Sequence, residues 1–327
     1  MHLDLFELHR PTSVEQTMRL AGEWAGRFDY LAGGTDLLPN YKMHINLKPH
    51  LISLDAVPEL GGHSLERIGA MERLENLERD PAFMAAYPSV ADALGEVATP
   101  LVRASGTVGG NLLVETRCFF FNQSYFWRAS LGFCLKADGD RCHVVPQKER
   151  CYATFSGDLA PALLVLDAEV EVAGPNGRRT IPLADLYDRK GDGIRRLTIA
   201  PGELLIAVHL PPASRRWRGR YRKLRLRPSF DFPELGVAVA GAWDDRRVTS
   251  LSVAVGGVEP YPRRFDELTG PLVGETLSEE RVRALSEAIT RAVRPVHNTF
   301  LLPDYRRRMV GVYVRRVISE AKGGVAT

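Results

Sequence analysis

The 327-residue chain has few cysteines, no long apolar run and no marked excess of one charge. No stretch reaches the roughly 18 apolar residues that a membrane-spanning helix needs, and the segment from Met1 to Phe6 lacks the basic and apolar regions of a secretory signal. Lys and Arg together number 43, against 40 Asp and Glu. This balance argues against nucleic-acid binding, because that task favours a strong basic excess. We therefore expect a cytoplasmic protein with no membrane span and no nucleic-acid partner.

Two glycine-rich segments stand out, although neither carries the G-x-G-x-x-G fingerprint of dinucleotide-binding folds or the P-loop pattern. Residues 31–37 and 106–112 each place a Gly-Gly pair beside a threonine, Thr35 or Thr107. Glycine lets backbone N–H groups approach an anion closely, and successive N–H groups can form a nest that binds phosphate. The residues alone therefore indicate either a diphosphate site or two simple tight turns.

All four cysteines lie in one segment of the chain, between residues 118 and 151. Because cytosolic proteins rarely use structural disulfides, such a cluster predicts a metal site. The spacing C-x15-C-x7-C-x8-C lacks the close pairs of structural zinc sites and the common ferredoxin runs, so the metal stays open. Six aromatic residues between positions 119 and 127 either shield that site from water or pack the segment onto the domain. The candidate ligands are Cys118, Cys134, Cys142 and Cys151; His143 is a further candidate that four cysteines make unnecessary.

Length and periodicity predict two or three domains with mixed helices and strands. Thr12 or Ser13 is placed to cap a first helix, and short apolar runs at residues 28–31 and 50–54 predict strands. A basic linker is predicted before the strand at Tyr221. The basic run of Arg215, Arg216, Arg218, Arg220 and Arg222 is interpreted as a solvated linker or subunit contact, with guidance of an acidic ferredoxin as the alternative. The C-terminal part predicts an α+β unit with a three-stranded antiparallel sheet and two amphipathic helices. Its strands are expected at residues 221–226, 236–243 and 248–256, and its helices at 279–293 and 303–321.

Several short motifs follow one another along the chain and together carry a family resemblance. They read Ala-Gly-Gly-Thr-Asp-Leu at 32–37, Thr-Val-Gly-Gly-Asn at 107–111, Asp-Leu-Ala-Pro-Ala-Leu at 158–163, Tyr-Arg-Lys at 221–223 and Val-Gly-Gly-Val at 255–258. From about residue 5 to about residue 320, the chain resembles the FAD-binding medium subunits of the xanthine dehydrogenase family of molybdenum hydroxylases. The resemblance implies an α+β fold in two domains. They are a two-lobed FAD-binding domain of the PCMH type over 1–214, with lobes at about 1–55 and 56–214, and a C-terminal flavoprotein domain over 215–327.

The resemblance also implies where FAD would bind. In that family the two glycine turns hold the FAD pyrophosphate between the lobes. Asp158 would meet the ribose or adenine end, whereas Leu205 and Lys223 would approach the flavin from the far side. A cation near the isoalloxazine stabilises an anionic reduced flavin, although Lys223 is equally interpreted as a solvated strand lysine. Carried over by position, the cofactor-binding residues are Leu31, Ala32, Gly33, Gly34, Thr35, Asp36, Leu37, Thr107, Gly109, Gly110, Asn111, Asp158, Leu205 and Lys223.

The cysteine segment, about residues 115–155, is an insertion relative to the wider family, in which the motif ending at Asn111 runs almost directly into the one beginning at Asp158. A loop that long needs its own organiser. The insertion and the segment from Arg225 to Phe232 resemble the flavoprotein β subunit of 4-hydroxybenzoyl-CoA reductase, a branch of the same family. That resemblance implies a [4Fe–4S] cluster bound by the four cysteines.

The resemblance finally implies an electron-transfer subunit with no catalytic residues of its own, in a complex with a molybdopterin-containing large subunit and a [2Fe–2S] small subunit. Reduced ferredoxin would donate electrons, which would travel through the [4Fe–4S] cluster and FAD to the partner centres for reductive dehydroxylation of 4-hydroxybenzoyl-CoA to benzoyl-CoA. Two alternatives stay open. One is the flavoprotein subunit of an oxidative molybdenum hydroxylase of xanthine or aldehyde type. The other is a zinc-containing nucleotide-binding protein without a redox role.

Overall fold

A computed structural model describes residues 3–244 and 247–323 of the chain. The N-terminal part is a small parallel sheet with two helices. Its elements are β1 (Glu7–His9), α1 (Val14–Glu23), β2 (Phe28–Leu31), α2 (Leu37–Lys42) and β3 (His50–Ser53), and the strand order is β1-β3-β2. Ser13 caps α1 by accepting a hydrogen bond from the Gln16 amide at 3.2 Å, which satisfies a backbone group that the helix itself leaves free. This confirms the predicted first helix.

The middle part is an antiparallel sheet covered by short helices. The strand order is β4-β7-β5-β6, so the last strand of this part returns to the middle of the sheet. Its strands are β4 (Arg67–Gly69), β5 (Glu169–Gly174), β6 (Gly177–Pro182) and β7 (Leu204–His209). Its helices are α3 (Leu74–Glu78), α4 (Pro81–Ala86), α5 (Pro88–Glu96), α6 (Pro100–Ser105), α7 (Val108–Leu112), α8 (Tyr125–Ser130) and α9 (Leu159–Leu164).

The C-terminal part is an antiparallel sheet with helices packed on one face. Its strands, in the order β11-β10-β9-β8, are β8 (Arg218–Leu224), β9 (Leu235–Asp244), β10 (Arg247–Gly256) and β11 (Arg263–Arg264). Its helices are α10 (Asp266–Thr269), α11 (Glu279–Ala292) and α12 (Pro303–Ala321). The three long strands and the two long helices confirm the predicted α+β unit. The two-residue strand β11 adds a fourth strand, and residues 245–246 and 324–327 of the predicted domain lie outside the described residues.

The prediction of a basic linker is wrong from Arg218 onward, because strand β8 begins at that residue. Gly219, Tyr221 and Lys223 are buried, whereas the arginines between them are not. Successive side chains of a strand point to opposite faces, so this alternation lets an arginine-rich sequence bury every second residue. The arginines are also paired with acids: Arg220 and Arg222 each lie 3.3 Å from Asp92.

The C-terminal sheet joins the two halves of the chain, because both of its faces are buried. Tyr221, Ala238, Ala240 and Ala254 belong to the same apolar core as helices α5 and α9. The other face packs on α11 and α12. Every residue of α9 is buried, so this short helix lies at the centre of the molecule and holds Asp158, the residue that precedes it, in a fixed place. No helix within 3–244 and 247–323 is long and apolar enough to cross a bilayer.

Candidate functional site

A cleft of about 940 Å³ brings together residues from all three parts of the chain. Its volume lies in the range of about 300–1,000 Å³ that is usual for small-molecule sites. Leu31 does not line the cleft, because it ends β2 and its side chain lies beside Gly34 instead. Thirteen of the predicted cofactor-binding residues do line it: Ala32, Gly33, Gly34, Thr35, Asp36, Leu37, Thr107, Gly109, Gly110, Asn111, Asp158, Leu205 and Lys223.

The first glycine motif presents free backbone donors to the cleft. Gly34 has a φ of +70°, a conformation that favours glycine. A Cβ atom on Gly33 would lie 1.9 Å from the carbonyl oxygen of Ser105, so only glycine allows the two backbones to approach this closely. Among the described residues, no atom accepts a hydrogen bond from the amides of residues 33–36. These N–H groups are therefore available to an anionic ligand such as a diphosphate.

The second glycine motif differs from the predicted turn, because residues 108–112 form helix α7. Thr107 caps this helix by accepting a hydrogen bond from the Gly110 amide at 3.1 Å. The amides of Val108 and Gly109 donate to the carbonyl oxygens of Glu72 and Ala70 at 3.0 and 2.8 Å. The amides of residues 108–111 thus already have acceptors within the protein, and a contact of the FAD pyrophosphate with this motif stays a prediction. Its glycines instead allow close packing, since a Cβ on Gly109 would lie 2.9 Å from the Ala70 Cβ.

Asp158 and Lys223 form a buried ion pair in the wall of the cleft. The Asp158 carboxylate accepts hydrogen bonds from the Tyr221 hydroxyl at 2.7 Å and from the Lys223 ammonium at 3.0 Å. Lys223 also donates to the carbonyl oxygen of Glu96 at 3.0 Å. Burial raises the pKa of Asp158, and the charge of Lys223 opposes that shift. Since the two residues touch, the predictions that place them at opposite ends of one FAD cannot both hold.

The four cysteines converge on a second, small cavity beside the cleft. Cys118, Cys142 and Cys151 are buried and Cys134 is partly buried, and all four line this cavity. Backbone amides of Phe121 and Ala153 donate to the sulfur atoms of Cys118 and Cys151 at 3.4 and 3.3 Å. Burial raises the pKa of Cys118 to about 12 and that of Cys151 to about 11, so ionised thiolates here would require a bound cation.

The spacing of the sulfur atoms bears on which metal the cavity suits. Four thiolates around a single zinc ion at about 2.3 Å lie about 3.8 Å from one another. Of the four cysteines, all of which belong to the described residues, no three have sulfur atoms within 4.8 Å of one another. The sulfur atoms therefore do not form the close set that surrounds a single zinc ion.

Phe121 lies between the cleft and the cysteine cavity and lines both of them. A second link runs through Arg117, the residue before Cys118. Its guanidinium donates to the Asp36 carboxylate at 2.5 Å and to the Asn40 side-chain oxygen at 2.8 Å. The cysteine insertion is thus anchored directly to the first glycine motif.

Comparison with known proteins identifies the family of this chain. Residues 4–213 match the family described as the FAD binding domain in molybdopterin dehydrogenase, and residues 220–321 match the CO dehydrogenase flavoprotein C-terminal domain. The chain belongs to the FAD-binding subunits of the molybdenum hydroxylases. The predicted family is therefore confirmed, and FAD binding with it.

Individual relatives cover most of this FAD subunit. It is 34% identical over 298 residues to the aldehyde oxidoreductase FAD-binding subunit of Escherichia coli, spanning 86% of this chain and 89% of that protein. It is 27% identical over 321 residues to the carbon monoxide dehydrogenase medium chain of Hydrogenophaga pseudoflava, spanning 97% and 96%. The solved carbon monoxide dehydrogenase of that organism superposes with a TM-score of 0.77 at 25% identity, over 99% of both chains. These names mention neither an iron–sulfur cluster in this subunit nor 4-hydroxybenzoyl-CoA, so the predicted branch gains no support from them.

Residues of the FAD subunit that sequence reasoning did not place in the cleft include Phe230, Asp231 and Phe232. The two phenylalanines are 61% and 48% exposed, and Phe230 has a φ of +69°. The Phe230 amide donates to the Ala98 carbonyl oxygen at 3.1 Å, which folds the loop over the cleft. Two aromatic residues on either side of an acid, a few residues after strand β8, could have indicated a ligand-binding loop, although the sequence suggested only a branch resemblance for this segment.

Glu115 also lines the cleft and holds two cations at the base of the insertion. Its carboxylate accepts from Lys136 at 2.7 Å and from Arg196 at 3.0 Å. Burial would raise the pKa of Glu115, but these two cations outweigh burial and lower it to about 2. Because Lys136 is buried, with a side chain only 4% exposed, the carboxylate is needed to offset its charge.

We expect Glu115→Gln to lower the free energy of unfolding by roughly 3 kcal/mol at pH 7, the lower end of the cost of breaking a buried pair. The folded pKa lies below the ordinary value, so this contribution is complete above about pH 4.5 and disappears as the pH falls towards 2. Chemical denaturation at pH 7 and at pH 4 should therefore give a smaller difference at pH 4. Glu149→Gln, an exposed position in the same insertion, is the matched control, and an equal difference at both pH values would contradict the assignment.

Gly33→Ala is expected to weaken FAD binding at least about tenfold, which corresponds to about 1.4 kcal/mol. The added methyl group would collide with the Ser105 carbonyl oxygen and displace the free amides beside it. FAD affinity of the reconstituted protein, followed by flavin fluorescence, measures the effect. Gly95→Ala in α5 is the control, because a Cβ there meets no atom within 4 Å and alanine favours a helix by up to about 1 kcal/mol. Equal FAD affinity of both variants would show that the close approach at Gly33 does not shape the site.

Proposed function

We propose that this chain is the electron-transferring flavoprotein subunit of a molybdenum oxidoreductase and binds both FAD and a [4Fe–4S] cluster. The observation that carries this proposal is the position of Phe121, whose side chain lines the FAD cleft and the cysteine cavity at once. Two redox groups held on either side of one aromatic ring would be close enough to exchange electrons.

The residues of the cleft suit FAD. The free amides of residues 33–36 would bind the diphosphate, while the buried pair of Asp158 and Lys223 supplies a fixed polar wall. Phe230 and Phe232 offer aromatic faces at the open side of the cleft. Bound FAD supplies one- and two-electron chemistry, and a cluster on four thiolates supplies one-electron chemistry. No side chain here needs to act as a general acid or base.

The cysteine insertion suits a cluster for three reasons. Its four sulfur atoms line one cavity and are more widely spaced than a single zinc ion requires. Two backbone amides already donate to sulfur, and hydrogen bonds of this kind orient the ligands of metal sites. Phe120, Phe121 and Val144 give the cavity an apolar lining. These features favour the cluster over the zinc-containing nucleotide-binding alternative.

For the complex, we propose the oxidative direction, with an aldehyde-class substrate oxidised in a molybdopterin-containing large subunit and a [2Fe–2S] small subunit between the two. The support is the 34% identity to an aldehyde oxidoreductase subunit. Ion pairs within the protein reduce the charge that the basic run could offer to an acidic ferredoxin, since Arg215 pairs with Glu66 at 2.5 Å and Arg220 and Arg222 share Asp92. This proposal replaces ferredoxin-dependent reduction of 4-hydroxybenzoyl-CoA, to which none of the relatives described above points.

Cofactor content tests the proposal for this chain. The protein would be purified without oxygen, and iron, acid-labile sulfide, zinc and FAD would be measured per polypeptide, with EPR spectra after dithionite reduction. About four iron, four sulfide and one FAD are expected. Zinc without iron would overturn the cluster, and absence of FAD would overturn the flavoprotein assignment.

The direction of electron flow needs the whole complex. Addition of an aldehyde to the oxidised complex is expected to reduce the flavin within the time of one catalytic turnover. Reduction would be followed as a loss of the visible flavin absorbance. Failure with every aldehyde tested, together with consumption of 4-hydroxybenzoyl-CoA in the presence of a reduced dye, would establish the reductive direction instead.

A further inference from the structure

Three potential ligand groups meet on the N-terminal sheet, outside both the cleft and the cysteine cavity. The His9 Nε2 atom lies 3.2 Å from the His50 Nδ1 atom. One Glu7 carboxylate oxygen lies 3.5 Å from His50 Nδ1, and the other lies 3.9 Å from His9 Nε2. Nothing in the proposed electron-transfer function uses these three side chains.

Strand pairing brings the three residues together. Strands β1 and β3 run parallel, with Glu7 opposite His50 in the register. His9 is two residues beyond Glu7, so both side chains lie on the same face of β1. The arrangement is thus fixed by the backbone of the sheet and does not depend on a mobile loop.

The Glu7 distances fit a shared cation better than direct hydrogen bonds, whereas the His9 and His50 nitrogens are themselves within hydrogen-bond distance. Both Glu7 separations are longer than the roughly 2.7–3.2 Å of ordinary hydrogen bonds. Ligand atoms at about 2.0–2.1 Å from one tetrahedral zinc ion lie about 3.3 Å apart. The His9–His50 separation of 3.2 Å is close to that value, and the two nitrogens and one Glu7 oxygen lie within 4.8 Å of one another.

Trp24 holds the two imidazole rings in place. Its ring stacks on His50 with centroids 3.7 Å apart and an interplanar angle of 25°, and on His9 at 5.7 Å and 27°. Stacking on an indole restricts rotation of both rings. Binding of an ion would therefore remove less rotational freedom from the two histidine side chains. The Glu7 side chain is 64% exposed, which leaves a path for the ion and for a water ligand.

We propose that Glu7, His9 and His50 form a three-ligand site for a divalent transition cation of the zinc class. Two imidazoles and one carboxylate, with a fourth position open to water, are a ligand set that zinc uses in proteins. A bound ion would join the N-terminal strand β1 to β3 and so stabilise the edge of this lobe. The ligand types also suit copper and nickel, so the site is defined by its chemistry and not by one element.

The test uses the full-length, tag-free protein with its cofactors and Co²⁺ as the spectroscopic probe. Wild type is expected to bind one Co²⁺ per chain with visible d–d absorption and without the thiolate charge-transfer bands that cysteine ligation would add. Zn²⁺ should compete for that site and raise the Tm. Removing a group that only hydrogen-bonds to a metal ligand already lowers metal affinity by about 10- to 100-fold. Glu7→Gln and His9→Gln remove proposed ligands themselves, so each should weaken Co²⁺ binding at least about 10-fold.

His209→Gln is the matched control, because His209 pairs with a single acid, Glu171, at 3.3 Å in the neighbouring sheet. It should bind Co²⁺ as the wild type does. Glu7 is exposed, so its replacement tests the site without unfolding the lobe. Absence of the d–d spectrum from the wild type, or an unchanged affinity in Glu7→Gln, would overturn the proposal; neither result would bear on FAD or iron content.

Discussion

Cys118→Ser is expected to remove essentially all iron from the purified protein while about one FAD per chain remains. Four thiolates are the ordinary ligand set of a [4Fe–4S] cluster. Cys118 is buried and lines the cysteine cavity together with Phe121, which separates that cavity from the cleft. The serine hydroxyl is a poor replacement because it ionises far less readily than a thiol. The amides of residues 33–36, which are proposed to bind the FAD diphosphate, lie on another segment, so they should stay in place.

The measurement is iron, sulfide and FAD per polypeptide, with the reduced-state EPR signal as a second readout. His143→Gln serves as the control, because His143 is next to Cys142 and lines the same cavity. Its Nε2 atom is already 2.5 Å from the Phe133 carbonyl oxygen, so we expect that variant to keep its iron. Normal iron in Cys118→Ser, or iron loss in His143→Gln, would show that the ligand set has been assigned wrongly.

Sequence predictions were accurate where a segment's own periodicity decides its structure. Helix α12 spans the predicted residues 303–321, and β2 spans the predicted residues 28–31. Ser13, one of two candidate caps, was also confirmed. Each of these features depends on residues a few positions apart, which a single sequence displays.

Features that depend on contacts between distant segments were not predictable in the same way. Thr107 could be recognised as part of a motif, but its role as a helix cap depends on the backbone path after Gly106. Similarly, the arginines of β8 looked solvated because the acid that pairs with two of them, Asp92, lies more than a hundred residues away. The family resemblance supplied the position of the cleft, whereas the contacts inside it come from the fold.

Lys223→Met is expected to lower the free energy of unfolding by about 3–5 kcal/mol, the cost of leaving one member of a buried ion pair without its partner. Asp158 and Lys223 are 65 positions apart in the sequence, and their side chains are only 4% and 1% exposed. Without the ammonium, the Asp158 carboxylate would retain only the Tyr221 hydroxyl as a side-chain donor. Part of the cost would then be relieved by protonation of Asp158, since burial already raises its pKa.

The double variant Asp158→Leu with Lys223→Met separates the ion pair from the packing of these residues. Replacing both members of a buried pair by apolar side chains is often close to neutral, so we expect the double variant to be more stable than Lys223→Met alone. Chemical denaturation of the four proteins of this cycle gives the coupling energy between the two residues. FAD affinity gives an independent readout: because the pair forms a wall of the cleft, affinity should stay low in the double variant even where stability returns. Recovery of FAD affinity together with stability would mean that the pair only holds α9 against β8, and that its charges make no contact with the cofactor.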